Sequence, residues 1–389
     1  MDLKTVILSQ TYFDHASFTP MFQSVKNVLI EKMDMPFQEE RPLYASDVFL
    51  AKEVEMALKT IKLFFSADEK DFVLISPSIK DSLQTIYQLH LEKVVKETGK
   101  SHILYLDFDI EEIVLGLKSL EKSGCTLEKI PVNKSGQIDI VELKKKINPK
   151  TSLITLSWAD PLIGVLQPLE EIYQICQEKG IDLHLDTTQV MGKVYLRTQD
   201  LPITYMTYNP GKVGGPNLLG VSLIKYQPIL KNLGTQIFTS GKDFGKLLAF
   251  SMFCYEMTQL TDEFFFDMPD MKEEFENLLQ EKIPGIEIVF SNVERLQSHT
   301  VVYFPGVHQE MLFFLLKEKG IYTSIGSTGD YSLFSKLMKF NQKNIKAQSC
   351  LVFSFSFKTN KSSLIHSVEA IKNSYEHALK FFNSGTAND

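Results

Sequence analysis

Apolar residues recur along this chain with two different spacings, and the alternation between them predicts its architecture. The consecutive apolar run 72–75 reads as a buried strand. It ends in Ser76-Pro77-Ser78-Ile79-Lys80, after which 81–95 carries aromatic and aliphatic residues on one helical face. Strand-like runs at 102–106, 126–130 and 152–158 alternate with helical segments at 111–123 and 140–146, the latter preceded by the turn residues Asn133-Lys134-Ser135-Gly136. Two further strand-like runs, 180–185 and 203–208, come after an amphipathic helix. Ahead of all these lie a short strand-like start at 5–9 and helices near 20–32 and 46–65. Such alternation predicts a mostly parallel sheet covered by helices. The pattern changes after about residue 240. Helical segments at 244–265 and 271–280, then strands at 286–290, 300–304 and 350–355, predict a smaller α+β unit, and 384–389 reads as a frayed tail.

Two residues give this framework a chemical meaning. Asp186 falls at the carboxyl end of the 180–185 strand, where open α/β sheets hold their ligands. A carboxylate there can pair with the protonated pyridine nitrogen of pyridoxal phosphate (PLP) and keep its ring electron-poor. Gln189, three residues on, is placed to hydrogen-bond the ring's phenolic oxygen. Lys212 follows Asp186 by 26 residues (212 − 186), past the 203–208 run and just before Gly214-Gly215-Pro216. Its amine is the candidate for the Schiff base and, once released, for a general base. Taken singly, the Asp reads equally as a helix cap or a ribose ligand, and the Lys as a phosphate counter-ion; the joint pattern is what points to PLP. A P-loop is excluded, because Met206 stands five residues before Gly211 and Val213 occupies the Ser/Thr position. The strand, turn and helix around Ser78 and Lys80 form a candidate phosphate cradle, since free amides at a helix start bind phosphate. A plain Ser N-cap is the alternative for Ser78.

Composition narrows the class. The 389 residues, 44% of them hydrophobic, supply core enough for two domains or for one large domain with an appendage. A formal net charge of −7, with no long Lys/Arg run, argues against nucleic acid or an anionic membrane as the main partner. Neither a basic start with an apolar core nor a run near membrane-spanning length is found, so a cytoplasmic protein is expected. Cys125, Cys176, Cys254 and Cys350 lie far apart without metal-type spacing, and read as buried thiols rather than a disulfide framework or a metal site. Arg41, Arg197 and Arg295 are the three arginines, so few positions offer a bidentate grip on a substrate carboxylate.

With these residues placed, the chain resembles the class V aminotransferase and cysteine desulfurase family of fold-type-I PLP enzymes, over nearly its whole length. Tyr12-Phe13-Asp14-His15-Ala16 with Thr19-Pro20 is similar to the family's amino-terminal Tyr-Leu-Asp motif, and Gly136-Gln137-Ile138-Asp139 with Leu143 to its Gly-x-Ile-Asp-x-x-x-Leu segment. Ile163-Gly164-Val165-Leu166-Gln167-Pro168 matches the stretch after its Asn-Asn-Glu segment, His184 to Gly192 resembles His-Val-Asp-Ala-Thr-Gln-x-x-Gly, and Lys212 with Gly215-Pro216 falls on the lysine motif. The resemblance implies a three-layer α/β large domain with a mostly parallel sheet over 20–265, and a smaller α+β domain from 1–19 and 266–389. It implies Lys212 as the cofactor lysine, Asp186 as the pyridine partner and Gln189 as the phenolic-oxygen contact. Thr207 and Asn209 fall near the family's phosphate-binding Ser and His, Ser78 and Ile79 on its phosphate turn, and Asp160 where an Asn meets cofactor or substrate. Thr239-Ser240-Gly241 resembles the segment lent to a partner subunit, which implies a homodimer with composite sites, with Thr239 as a phosphate ligand.

The departures shape the expected reaction. The arginine that grips the substrate carboxylate is replaced by Val352, in Val352-Phe353-Ser354-Phe355. The loop corresponding to the desulfurase nucleophile, Gly326-Ser327-Thr328-Gly329-Asp330, has no cysteine. The ring-stacking histidine falls near Ile110, with Phe108 as a stacking surface if the alignment shifts by two. Arg41 is a replacement substrate anchor, with a surface ion pair to its neighbouring glutamates as the alternative reading. His15 is a second substrate contact, or else a structural hydrogen-bonding residue. The expectation is thus a homodimeric PLP enzyme of the aminotransferase or lyase type, acting on an amine or amino-acid-derived small molecule and not through a cysteine persulfide. Its alternatives are a tailoring enzyme with Cα/Cβ chemistry and a non-catalytic scaffold with the PLP fold.

Overall fold

The computed structural model describes residues 11–33, 45–106, 109–194, 203–225, 243–327, 329–340 and 344–385. Two helices, α1 (Gln23–Lys32) and α2 (Ala45–Phe64), precede a seven-stranded sheet. Its strands are β1 (Phe72–Ser76), β2 (His102–Leu106), β3 (Thr126–Ile130), β4 (Thr151–Ser157), β5 (Asp182–Asp186), β6 (Tyr205–Tyr208) and β7 (Gly220–Ile224), in the order β1-β7-β6-β5-β4-β2-β3. Only β7 runs antiparallel to its neighbours. Strands β4, β6 and β7 are buried along their whole length, as their unbroken runs of apolar and small polar residues require of a sheet covered on both faces. Helices α3 (Ile79–His90), α4 (Glu111–Lys122), α5 (Ile140–Lys146) and α6 (Leu169–Lys179) form the crossovers.

Parallel pairing sets the register that matters for function. Ser157 of β4 stands opposite Asp186 of β5, and Asp186 opposite Thr207 of β6, so three polar side chains meet at the strands' carboxyl ends. At the neighbouring end of β7, Gly220 leaves no room for a side chain: a Cβ there would come within 2.2 Å of the Ser78 carbonyl oxygen. That close approach presses the start of α3 against the sheet.

One helix differs from the sequence pattern. Instead of two helices, α7 runs unbroken from Phe244 to Lys282 with Pro269 inside it. Proline costs a backbone hydrogen bond in a helix, but buried Met268 and Met271 on either side hold the turn against the core. The domain boundary expected at 265/266 falls within this helix. Strands β8 (Glu287–Val289), β9 (His299–Tyr303) and β10 (Cys350–Ser354) form an antiparallel sheet in the order β10-β9-β8, packed with α8 (Gln309–Glu318), α9 (Leu333–Lys339) and α10 (Lys361–Gly385). A single hydrophobic cluster joins the two sheets, from Leu185 and Met206 through Phe253 and Phe275 to Phe353. No helix among the described residues is long and apolar enough to cross a membrane.

Candidate active site

A cavity of about 280 Å³ opens at the carboxyl ends of β4, β5 and β6. Ser157, Asp186 and Thr188 line it at the strand ends, together with Gln189, Asn209, Lys212, Ile79 and Ile110. Gly326, Ser327 and Tyr331 close it from the smaller unit.

Asp186 is buried, and its carboxylate is held by hydrogen bonds from Thr207 and Thr188. Thr207 Oγ1 donates to Oδ2 at 2.9 Å and the Thr188 amide to Oδ1 at 3.2 Å. Burial nevertheless pushes its pKa up to about 7, with nearby Asp109 adding to the shift. Behind Asp186 runs a buried chain of polar groups. His184 Nε2 lies 3.1 Å from Thr207 Oγ1, His184 Nδ1 lies 2.6 Å from Thr155 Oγ1, and Tyr87 Oη lies 3.0 Å from the same threonine oxygen. The Thr207 hydroxyl has one proton and gives it to Asp186, so it must accept from His184 Nε2–H. Nδ1 is then bare and accepts from Thr155, which in turn accepts from Tyr87. Burial lowers the His184 pKa to about 3, which keeps the ring neutral, as this arrangement needs.

Lys212 follows β6 in the tight turn Pro210–Lys212. It lines the cavity but is exposed, and its Nζ donates to the Ser17 carbonyl at 3.3 Å. Beside it, Asp14 is raised to about 6 by burial, against the lowering pull of hydrogen bonds from Ser17 and Ser324 and of the Lys212 charge. Gln189 is buried; its Nε2 donates to the Ala16 carbonyl at 3.4 Å, and its Oε1 accepts from Lys193 Nζ at 3.0 Å.

The remaining candidates divide. Asn209 lines the cavity, and its amide donates to Thr188 Oγ1 at 2.9 Å. Thr207 is fully buried and spends its hydroxyl on Asp186, so it does not reach the cavity. Ile79 brings the start of α3 to the wall, whereas Ser78 acts as the helix cap: its Oγ accepts from the Asp81 amide at 3.2 Å and donates to Asp81 Oδ2 at 2.7 Å. Asp160 sits behind the wall, where Oδ1 accepts from the Leu162 and Ile163 amides at 2.8 and 2.9 Å and Oδ2 pairs with Lys336. His15 is not brought to the cavity. Its ring is buried edge-on against Tyr12, 3.4 Å from the Thr19 hydroxyl, and burial drives its pKa down to about 3. Val352 is buried in β10 between Val301 and Ser324. Phe108, Arg41 and Thr239 lie outside the described residues.

Two site residues were not legible from the sequence. Lys336, on α9, reaches the cavity wall and forms its ion pair with Asp160 in near-complete burial, the side chains being 4% and 2% exposed. Asp109 follows β2 and ties it to β4, accepting from the Ser157 hydroxyl, from the Ser157 amide at 2.9 Å and from the Ile110 amide at 2.8 Å; burial raises it to about 6. Among the described residues no cluster of three or more His, Cys, Asp or Glu is arranged to hold a metal.

Residues 11–242 match the family model described as aminotransferase class-V. The cysteine desulfurase IscS of Neisseria meningitidis is 25% identical over 385 residues, covering 96% of this chain and 93% of its own. That of Clostridium botulinum is 25% identical over 332 residues, covering 82% and 81%. A solved NifS-like protein superposes with a TM-score of 0.81 at 18% identity over 95% of this chain and all of its own, and one from Rickettsia africae with 0.78 at 20% over 94% and 99%. Both carry the three-layer fold with a mostly parallel sheet, in agreement with the sequence expectation. The expectation that the chain stands apart from the desulfurases is overturned by these relatives, which carry the desulfurase name across most of its length. A match that spans more than half of the chain, together with relatives aligned over nearly all of it, shows that this chain belongs to the aminotransferase class-V family, whose members are PLP-dependent enzymes of the aminotransferase and lyase type.

Proposed function

We propose that the chain is a PLP-dependent cysteine desulfurase, which takes cysteine as its amine and removes the sulfur. The observation that carries this is the pairing of a buried carboxylate, Asp186, with the amine of Lys212 on the walls of one cavity, in a chain whose full-length relatives bear that name. The donor set suits the cofactor. Asp186 is a buried acid that lines the cavity, Lys212 is an accessible amine, and Gln189, Asn209 and the start of α3 offer polar groups around them. Bound there, PLP would draw electrons from the bonds at the carbon beside the substrate's amine.

The chain's own residues prepare that chemistry. The one-directional chain from Tyr87 through Thr155, His184 and Thr207 ends in a hydrogen bond to Asp186 that works against burial and favours its carboxylate, the form able to hold a proton on a ring nitrogen. Lys212, whose amine would hold the cofactor, would also be the group placed to carry a proton to and from the substrate carbon. Ile79 and Ile110 supply apolar walls that limit water. A homodimer, in which the segment around Thr239 completes the partner's site, is part of the proposal.

The test is direct. Purified protein incubated with PLP should gain a visible-edge absorbance that borohydride fixes covalently, and cysteine should shift it. Lys212→Ala should abolish the fixation. Protein that neither colours with PLP nor responds to cysteine would refute the reading.

A further inference from the structure

If the chain removes sulfur from cysteine, as proposed above, that sulfur needs a thiol to receive it. The chain has four, and all are buried. Cys125 directly precedes β3, the edge strand farthest from β7, and Cys176 lies in the carboxyl half of α6, which leads into the amino end of β5, whereas the cavity is at the carboxyl end of that strand. Cys350 opens β10, about 13 Å of extended chain from Ser354, the residue of that strand that touches the Ala16 amide. Its Sγ donates to the Lys346 carbonyl at 3.1 Å. Cys254 is wholly buried on α7 among the aromatic rings behind β6. Burial also holds these thiols protonated, raising Cys176 and Cys350 to about 12, so the nucleophilic thiolate is suppressed at each. The loop over the cavity offers Ser327 and Tyr331 instead.

We propose that the sulfur acceptor is a thiol on a second molecule, which enters the cavity between Ser327 and Tyr331 on one side and the exposed Lys212 on the other. A second copy of this chain cannot serve, since its thiols are buried in the same way. The step balances without an outside oxidant. The acceptor thiolate forms a bond to the cysteine sulfur, and the Cβ–S bond breaks with its electron pair passing to carbon. The carbon takes up a proton, and the products are alanine and the acceptor persulfide. The two sulfurs of the persulfide together give up the two electrons that Cβ gains.

The experiment mixes PLP-loaded enzyme with less than one equivalent of cysteine and measures alanine, pyruvate and the intact mass of the chain. Without added thiol, alanine should stay at background and the mass should be unchanged. Dithiothreitol, or a short peptide with one exposed cysteine, should restore alanine in proportion to its concentration, and the faster of the two arms identifies a small or a protein acceptor. The Ser327→Cys variant should yield alanine without added thiol, together with one sulfur atom on the chain. A wild-type enzyme that behaves like that variant overturns the proposal, and so does pyruvate formed independently of thiol. Either of those results leaves the action on cysteine intact, whereas loaded enzyme whose absorbance cysteine does not alter removes both readings.

Discussion

The Thr207 hydroxyl donates to Asp186 Oδ2 at 2.9 Å, and that single proton fixes the direction of every hydrogen bond behind it as far as Tyr87. Thr207→Val, close in shape, removes the donor and leaves His184 Nε2–H facing a methyl group. A stability loss of about 1–3 kcal/mol is expected on urea denaturation, the cost of a buried polar group left without its partner. In the same variant, the Nε2-protonated tautomer of His184, visible by nitrogen-15 NMR, should no longer dominate. Retention of that tautomer would break the inferred chain of donors.

Asp186 also predicts a pH dependence. Its folded pKa, about 7, lies above the ordinary 3.8, so between those values the folded protein holds a proton that the unfolded chain has released. This group's contribution to stability therefore falls as pH rises from about 4 to 7 and is level above that. The full change is roughly 4 kcal/mol at about 1.4 kcal/mol per pH unit. Asp186→Asn escapes it. The stability of cofactor-free Asp186→Asn relative to wild type should thus climb across that window, and a pH-independent difference would contradict the burial argument.

The Lys336 and Asp160 pair is almost wholly buried, so removing one partner strands the other. Lys336→Met should destabilise by about 3–5 kcal/mol, whereas Lys336→Met combined with Asp160→Asn should recover much of that loss. A double-mutant cycle by urea denaturation measures the coupling.

Gly220→Ala tests how closely α3 is pressed to β7. With the added Cβ 2.2 Å from the Ser78 carbonyl oxygen, backbone must move. A loss of about 1–3 kcal/mol is expected from overpacking, accompanied by weaker PLP uptake as the start of α3 shifts. Unchanged uptake would mean that the start of α3 does not contribute to the cofactor site.

Much of this was legible because the strands of the large sheet are short runs set between helical segments: the runs predicted at 102–106 and 126–130 coincide with β2 and β3, and Asp186 stands at the carboxyl end of β5. The split of α7 was misread because Pro269 looks like a stop signal until the buried methionines beside it are known. Lys336 reaches Asp160 across 176 positions, a contact that no local pattern announces. His15 illustrates the converse: its motif is clear in the sequence, but only packing reveals that the ring turns toward Tyr12 rather than the cavity.

The unbroken α7 has a mechanical consequence. It packs against α1 and α2 at one end of its length and against α10 and β9 toward the other, so it behaves as a strut spanning both sheets. Its one missing rung is at Pro269. Any swing of the three-stranded sheet over the cavity mouth must flex the strut at that joint.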